Sequence, residues 1–376
     1  MEIIVRDKDI ITGNFEMEDL HTLKNYPIFM GCVNSNFESD IRVDQTWQIS
    51  KVSGIIQLRK LVPLEILYGQ SHNSGSIGSI WMDHHQKFSE YILENNPKNV
   101  LEIGGAHGIL AKNCLSKAKI PWTIIEPNPN PVFGCEAKFI KGFFDSKFKI
   151  DDEVDTIVHS HLLEHLYDPL QFFKDLSKTK LSTYLIFSLP NLHEMLLRKY
   201  TNCLNFEHTI FITEPLIDFL LTSSGFEIID KKYFKEDHSI FYKCIRTKKL
   251  KISNLPQDYY QTNKSIFMSY IKYHQNLIKK LNSDININSH RVFLFGAHIF
   301  SQYLIEFGLN INKIECILDN DTEKQGKRLY GSKLFVKSPK ILKDINNPLI
   351  ILKAGTYNNE IKEDILKNIN PNAKFI

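Results

Sequence analysis

The sequence predicts an α/β protein, in which a Rossmann-like, doubly wound sheet domain is preceded by a small N-terminal module and followed by a second, smaller α/β domain. Three observations predict it. Apolar strand patterns alternate with helical ones from residue 99 onward, the order that builds a parallel sheet. A glycine-rich turn, LEIGGAHGILA (101–111), joins a strand directly to a helix. After a long amphipathic stretch, a second set of apolar strands begins at RVFLFGAH (291–298). The 376 residues suffice for two or three folded units at roughly 100–200 residues each.

Residues 1–70 alternate short apolar runs with turn residues, as in TWQISKVSGIIQL (46–58), which predicts small strands and little helix. The spacing of WMDHHQKFSEYIL (81–93) fits a helix, and Asn95, Asn96 and Pro97 stop it before the strand NVLEIG (99–104). A helix over 109–118 follows, then strands WTIIEP (122–127) and VDTIVHSH (154–161), a helix over 168–178 and the strand STYLIFSLP (182–190). SSGFEIIDKKYF (223–234) and HSIFYKCIR (238–246) read as a closing antiparallel hairpin. The amphipathic stretch 258–281 is a connector helix. Beyond it, IECILDND (314–321) and PLIILKAG (348–355) join RVFLFGAH as strands, accompanied by the helical patterns IFSQYLIEFG and NNEIKEDILKNI. No convincing sequence repeat relates the two sheet domains. The expected boundaries are 1–75 for the N-terminal module, 76–250 for the larger sheet domain, 251–285 for the connector and 286–376 for the last domain.

Hydrophobic residues at 43% and charged residues at 24% are those of an ordinary globular protein. The 46 basic and 43 acidic residues leave a net charge of +3, too little for nucleic-acid binding by charge alone. The six cysteines form no CxxC pair, so neither a zinc ribbon nor a dithiol site is written here and a reducing cytoplasm is expected. Charges interrupt the first apolar stretch, MEIIVRDKDIITG, and no 18-residue apolar run follows. Neither export nor membrane insertion is expected.

Chemistry concentrates at Glu102, Gly104, Gly105, Ala106 and Gly108 in the glycine-rich turn. Backbone without Cβ atoms turns tightly there and comes close to a ligand at a helix start. The next strand ends at Glu126, where a carboxylate can accept from both hydroxyls of a ribose. This pair suits either a nicotinamide dinucleotide or S-adenosylmethionine (SAM).

The segment VDTIVHSHLLEHLYDP (154–169) separates the two, because it resembles the DxxxxxHxLEHxxDP segment of class I SAM-dependent methyltransferases. With the glycine turn, Glu126 and the Pro190-Asn191 pair, the resemblance spans roughly residues 81–230. It implies that Glu102 and Gly104 to Gly108 border the amino-acid part of SAM and that Glu126 binds its ribose. Phe143, Phe144 and Asp145 would flank adenine, and His161 and Leu162 would line the sulfonium end. For Glu164 and His165 a packing or capping role stays open.

Both flanks narrow the subclass. SKVSGIIQLRKLVPLEILY (50–68) resembles the CxxCGLxQLxxxxPxExLY segment of the three-part sugar C-methyltransferases, NFEHTIFIT (205–213) resembles their EH-containing segment, and LFGAHIFSQYL (294–304) with ILDNDTEKQGKRLYG (317–331) resembles the opening of their last domain. That group has a zinc-binding N-terminal module, whereas Ser50 and Ser53 stand here in place of the two cysteines. Neutral hydroxyls do not supply thiolates, so no metal ligands are assigned. The group's EH pair implies that His208 is a general base and Glu207 its positioning partner. SHNSGSIGSIWMDHH (71–85) is similar to the group's YxYxSxxS stretch, with His72 and Ser74 at the tyrosine positions and Ser76 and Ser79 at the serines. This places His72 as a second catalytic candidate, and Asn73, Ser74, Ser76, Ser79 and Asn191 on the substrate side. In the last domain, Gly296 and Asp319 fit either a nucleotide-binding turn or a packed structural lobe, and KQGKRLYG (324–331) reads as a solvated turn or as a place where Lys327 and Arg328 meet phosphates.

The expectation is a cytoplasmic SAM-dependent methyltransferase acting on a nucleotide-linked sugar, with C- and O-methylation both open and no nucleic-acid or membrane partner. The alternatives are a nicotinamide-dependent sugar oxidoreductase and a catalytically silent sugar-nucleotide-binding protein.

Overall fold

The computed structural model describes residues 2–68, 78–248 and 252–376. Its central element is a seven-stranded sheet in the order Phe226–Phe234, Ser239–Arg246, Tyr184–Pro190, Thr156–Ser160, Val100–Ile103, Trp122–Glu126, Lys138–Lys141. The last five strands run parallel. Ser239–Arg246 pairs antiparallel with Tyr184–Pro190 and with its hairpin partner Phe226–Phe234. Strand alternation explains the layers. Val100, Val158 and Ile186 meet Phe88 and Ile92 of the helix Ser79–Leu93, and Leu110 and Cys114 of the helix Ile109–Leu115. Their neighbours Leu101, Ile157, Leu185 and Phe187 face the other way, onto Phe172 and Phe173 of the helix Pro169–Leu176 and Leu216, Ile217 and Leu220 of the helix Glu214–Ser223.

The N-terminal residues build an antiparallel sheet from Met17–Pro27, Arg42–Ser50 and Ile56–Leu58, and Ile210–Phe211 adds its fourth strand. The segment that carries Glu207 and His208 is therefore stitched to the N-terminal sheet. Where the resemblance places metal-binding cysteines, Ser50 Oγ donates to Asp9 Oδ2 at 2.6 Å and accepts from the backbone N–H groups of Val52 and Ser53 at 3.1 Å. Asp9 also accepts from Ile11 and Thr12 N–H at 2.7 and 3.1 Å and from the Thr12 hydroxyl at 2.7 Å. Asp9 and both serines are buried, so these bonds are shielded from water. Asp9→Ala strands several buried donors, and a loss of roughly 1–3 kcal/mol is expected. Thermal unfolding checks this, and an unchanged midpoint would remove the network's structural role.

The connector helix runs from Tyr259 to Ile287, longer than the sequence pattern indicates. Phe267, Tyr270 and Ile271 pack with Trp47 and Ile49 of the N-terminal sheet, while Ile278, Leu281 and Ile285 pack with Val292 and Leu294 of the last domain. That domain is a five-stranded parallel sheet in the order Val336–Lys337, Ile314–Leu318, Val292–Phe295, Leu349–Leu352, Lys374–Phe375. A short antiparallel pair, Cys32–Val33 with Arg328–Leu329, ties it to the N-terminal part. Arg328 is buried and holds Asp40 through two bonds of 2.7 and 2.8 Å. It is an internal strut, neither the solvated turn residue nor the phosphate contact that the sequence leaves open. Among the described residues, no helix is long and apolar enough to cross a membrane.

Candidate active site

The two sheet domains present the same turn to one cavity of about 590 Å³. In the larger domain, Gly104 N–H donates to Ile125 O at 2.9 Å, and Ala106 N–H donates to Glu126 Oε2 at 3.0 Å. In the smaller, Gly296 N–H donates to Leu318 O at 2.8 Å, and Ala297 N–H donates to Asp319 Oδ2 at 2.8 Å. Gly104 and Gly296 both hold positive φ, at 70° and 103°, which an L side chain resists. Gly104, Gly105, Ala106, Gly296 and Asp319 all line the cavity.

Several expected residues support this turn. A Cβ on Gly108 would lie 2.7 Å from Cys135 Sγ, so Gly108 serves close packing and not ligand contact. Leu162 packs beneath Gly104 and into the core. Glu102 reaches the cavity wall, but its carboxylate accepts from Trp122 Nε1 at 2.7 Å. Burial pushes its pKa up to about 7 against that bond. Glu126 accepts from Ala106 and also from Asn128 N–H at 3.0 Å, which positions it at the turn without placing it in the cavity wall.

The chemistry-bearing groups come from two chain segments. The strand Thr156–Ser160 ends at His161, which holds a left-handed φ of 50°, a conformation of the kind concentrated at functional sites. Its Nε2 pairs with Ser239 Oγ at 2.8 Å, and its ring meets Trp81 edge to face at 4.9 Å. A short turn then carries Glu164 and His165. Thr209 N–H donates to Glu164 O at 2.8 Å, bringing Glu207 and His208 alongside. Asn205 Oδ1 accepts from His208 N–H at 2.6 Å. Buried Arg6 donates to Thr209 O and Tyr167 O at 3.1 and 2.8 Å, locking both segments from below. Trp81, His161, Glu164, His165, Glu207 and His208 share the cavity wall.

Burial lowers the His208 pKa to about 4, and nearby His165 adds to the effect. The imidazole is thus neutral at cellular pH and able to accept a proton. Glu164 is 1% exposed, and neither carboxylate oxygen has a hydrogen-bond partner. Burial opposes its charge, but the His161 and His165 rings, at 3.5 and 3.8 Å, outweigh burial and hold its pKa below the ordinary carboxylate value.

Other expected residues lie elsewhere. Asn191 is not a substrate ligand: its side chain caps the helix Leu192–Leu197 and donates to Glu236 O at 2.8 Å. Phe144 turns into the core against Phe148 and Phe172, so it is not free to flank a base. Phe143 is 46% exposed, and Asp145 accepts from Lys147 N–H at 2.9 Å. Neither lines the cavity. Ser79 Oγ donates to Glu360 of the last domain at 3.3 Å. His72, Asn73, Ser74 and Ser76 lie outside the described residues. Sequence patterns did not single out Arg6, Tyr68, Trp81 or Asn205 for the site. Tyr68, Asn205 and Trp81 nonetheless lie inside matched segments, at the end of PLEILY, at the start of NFEHTIFIT and within the 71–85 stretch.

Residues 77–231 match the family model of a methyltransferase domain. The glycine turn, the carboxylate at the end of the next strand and the sheet order agree with that match. Residues 77–231 are thus a methyltransferase domain, with S-adenosylmethionine as its cofactor. No curated protein matches the chain. Among solved structures it is similar to the mitomycin 7-O-methyltransferase MmcR, at 16% identity over 50% of this chain and 64% of that one, with a TM-score of 0.39. It is also similar to the magnesium protoporphyrin IX methyltransferase ChlM of Synechocystis PCC 6803 with bound SAH, at 15% identity over 48% and 91% of the two chains and a TM-score of 0.36. The N-methyltransferase NodS of Bradyrhizobium japonicum WM9 shows 16% identity over 45% and 97%, with a TM-score of 0.35. The donor set fits SAM: exposed turn backbone stands beside aromatic Trp81 and anionic Glu164, which suit a sulfonium cation.

Proposed function

We propose that this enzyme methylates a sugar carried on a nucleotide, at carbon or oxygen, with His208 as the proton acceptor. The observation that carries this reading is the shared cavity with a nucleotide-type turn on each side. One turn suits SAM. The other, with Lys324 and Lys327 on the same wall, offers cations to a diphosphate. The acceptor then reaches across to Glu207 and His208.

SAM supplies an activated methyl group. Trp81, His161 and the turn backbone orient that group, and enclosure by both domains limits water. Bound SAM would supply the methyl group transferred to the acceptor, and the acceptor's proton would pass to the neutral His208 imidazole. Glu164 and Glu207 stabilise the imidazolium so formed. In a C-methylating site, His72 would assist enolisation of a ketosugar in place of the missing tyrosine.

Calorimetry with a panel of nucleoside diphosphate sugars, in the presence of S-adenosylhomocysteine, tests the acceptor class. Lys327→Ala should weaken the preferred sugar nucleotide about tenfold, the effect of one charge-assisted contact to phosphate, and leave S-adenosylhomocysteine binding unchanged. If no sugar nucleotide binds, the acceptor assignment is wrong, while the methyltransferase class stands.

A further inference from the structure

The least explained group in the cavity is Glu164. It is a carboxylate 1% exposed, and neither of its oxygens is in a hydrogen bond. Such burial is costly unless a cation completes it. Two imidazoles stand beside it. Ligand-competent atoms of Glu164, His165 and His208 all lie within 4.8 Å of one another, and His165 Nε2 is 3.8 Å from Glu164 Oε1. Donors held at about 2.0–2.2 Å from a shared ion stand roughly 3–3.5 Å apart, so small rotamer adjustments close the set.

The surroundings are those of a prepared ligand set. His165 Nδ1 is engaged by the Tyr68 hydroxyl at 3.0 Å, which leaves Nε2 turned to Glu164. Metal-binding histidines are oriented in this way by a partner on the other ring nitrogen. His208 Nδ1 is buried and unpartnered. All three residues line the cavity, so an ion there would keep open positions toward a ligand.

We propose that Glu164, His165 and His208 bind a divalent transition-metal ion at the floor of the cavity. Two imidazoles and one carboxylate favour ions such as zinc, cobalt, manganese or iron over magnesium or calcium, which prefer all-oxygen sites. This site is separate from the serine-substituted N-terminal module and does not depend on which acceptor enters. It does bear on His208, because a nitrogen that ligates an ion has no lone pair left for a proton.

The test is cobalt(II) titration of the full-length protein after chelator treatment, read by visible absorption and by calorimetry. A single ion per chain is expected, with ligand-field bands of a low-coordinate nitrogen and oxygen site. Glu164→Gln and His165→Asn should each weaken binding at least tenfold, and thermal unfolding and S-adenosylhomocysteine calorimetry establish that each variant is folded. Absence of stoichiometric cobalt, or affinity that survives in either folded variant, overturns the site. Turnover measured in parallel keeps the base assignment separate. A fall as the site fills agrees with metal and proton competing for His208. A rise would leave the metal site standing and overturn His208 as the base.

Discussion

Replacing His208 with glutamine should lower methyl transfer by roughly 10²–10⁴-fold, the usual contribution of a positioned general base, while S-adenosylhomocysteine affinity stays within a few-fold. The local backbone should survive the change, since Asn205 holds the His208 N–H and not its ring. Glutamine retains size and one hydrogen bond but takes no proton near neutral pH. The pH profile adds a signature that a packing role would not produce. Burial lowers the His208 pKa from 6.5 to about 4, and the base must be unprotonated, so activity falls as pH drops through the lowered value. The acid limb of kcat/KM should therefore lie below the ordinary histidine range and disappear in the variant. Near-native turnover on the true acceptor would return His208 to a structural role.

Most of the fold is legible in the sequence because the central strands are buried on both faces. VLEI, TIVHS and YLIFSLP read as apolar runs between helical patterns, and the structure places each in the middle of the large sheet. The strand Lys138–Lys141 is an edge strand whose two lysines are exposed, so it lacks the apolar signal. Ile210–Phe211 is too short to announce itself and gains its partner from residues far earlier in the chain. The likeness of the two sheet domains is invisible as a repeat. It resides in backbone bonds, Gly104 to Ile125 and Gly296 to Leu318, and in one carboxylate per turn. Many sequences satisfy those requirements.

At the site, residue position was easier to read than side-chain direction. Residues at the carboxyl ends of the parallel strands share one cavity wall, as His161, Glu164 and His165 do. Which way each side chain turns depends on packing: Phe144 enters the core beside Phe172, and Asn191 is used up in capping its helix. The EH pair meets the LEH turn through Thr209 and Arg6, contacts between distant segments that no local pattern encodes. The serine substitutions in the N-terminal module were legible, but the use of Asp9 as the acceptor of the Ser50 hydroxyl was not.

Glu126→Ala should weaken S-adenosylhomocysteine binding about tenfold or more. A carboxylate at the end of the second strand can accept two charge-assisted hydrogen bonds from ribose hydroxyls, each worth roughly 1.5–3 kcal/mol. The structure adds a second source of loss, because Glu126 already accepts from Ala106 and Asn128 N–H and so holds the turn that borders the cofactor. Glu126→Gln separates the two. One amide oxygen can still accept from Ala106, preserving the turn, but the amide loses the charge that strengthens both ribose contacts. A direct contact predicts that glutamine loses most of the affinity that alanine loses. A role confined to the turn predicts that glutamine binds nearly as tightly as the native enzyme. Dissociation constants for both folded variants decide between these outcomes, and an unchanged constant in the alanine variant would remove Glu126 from the cofactor site.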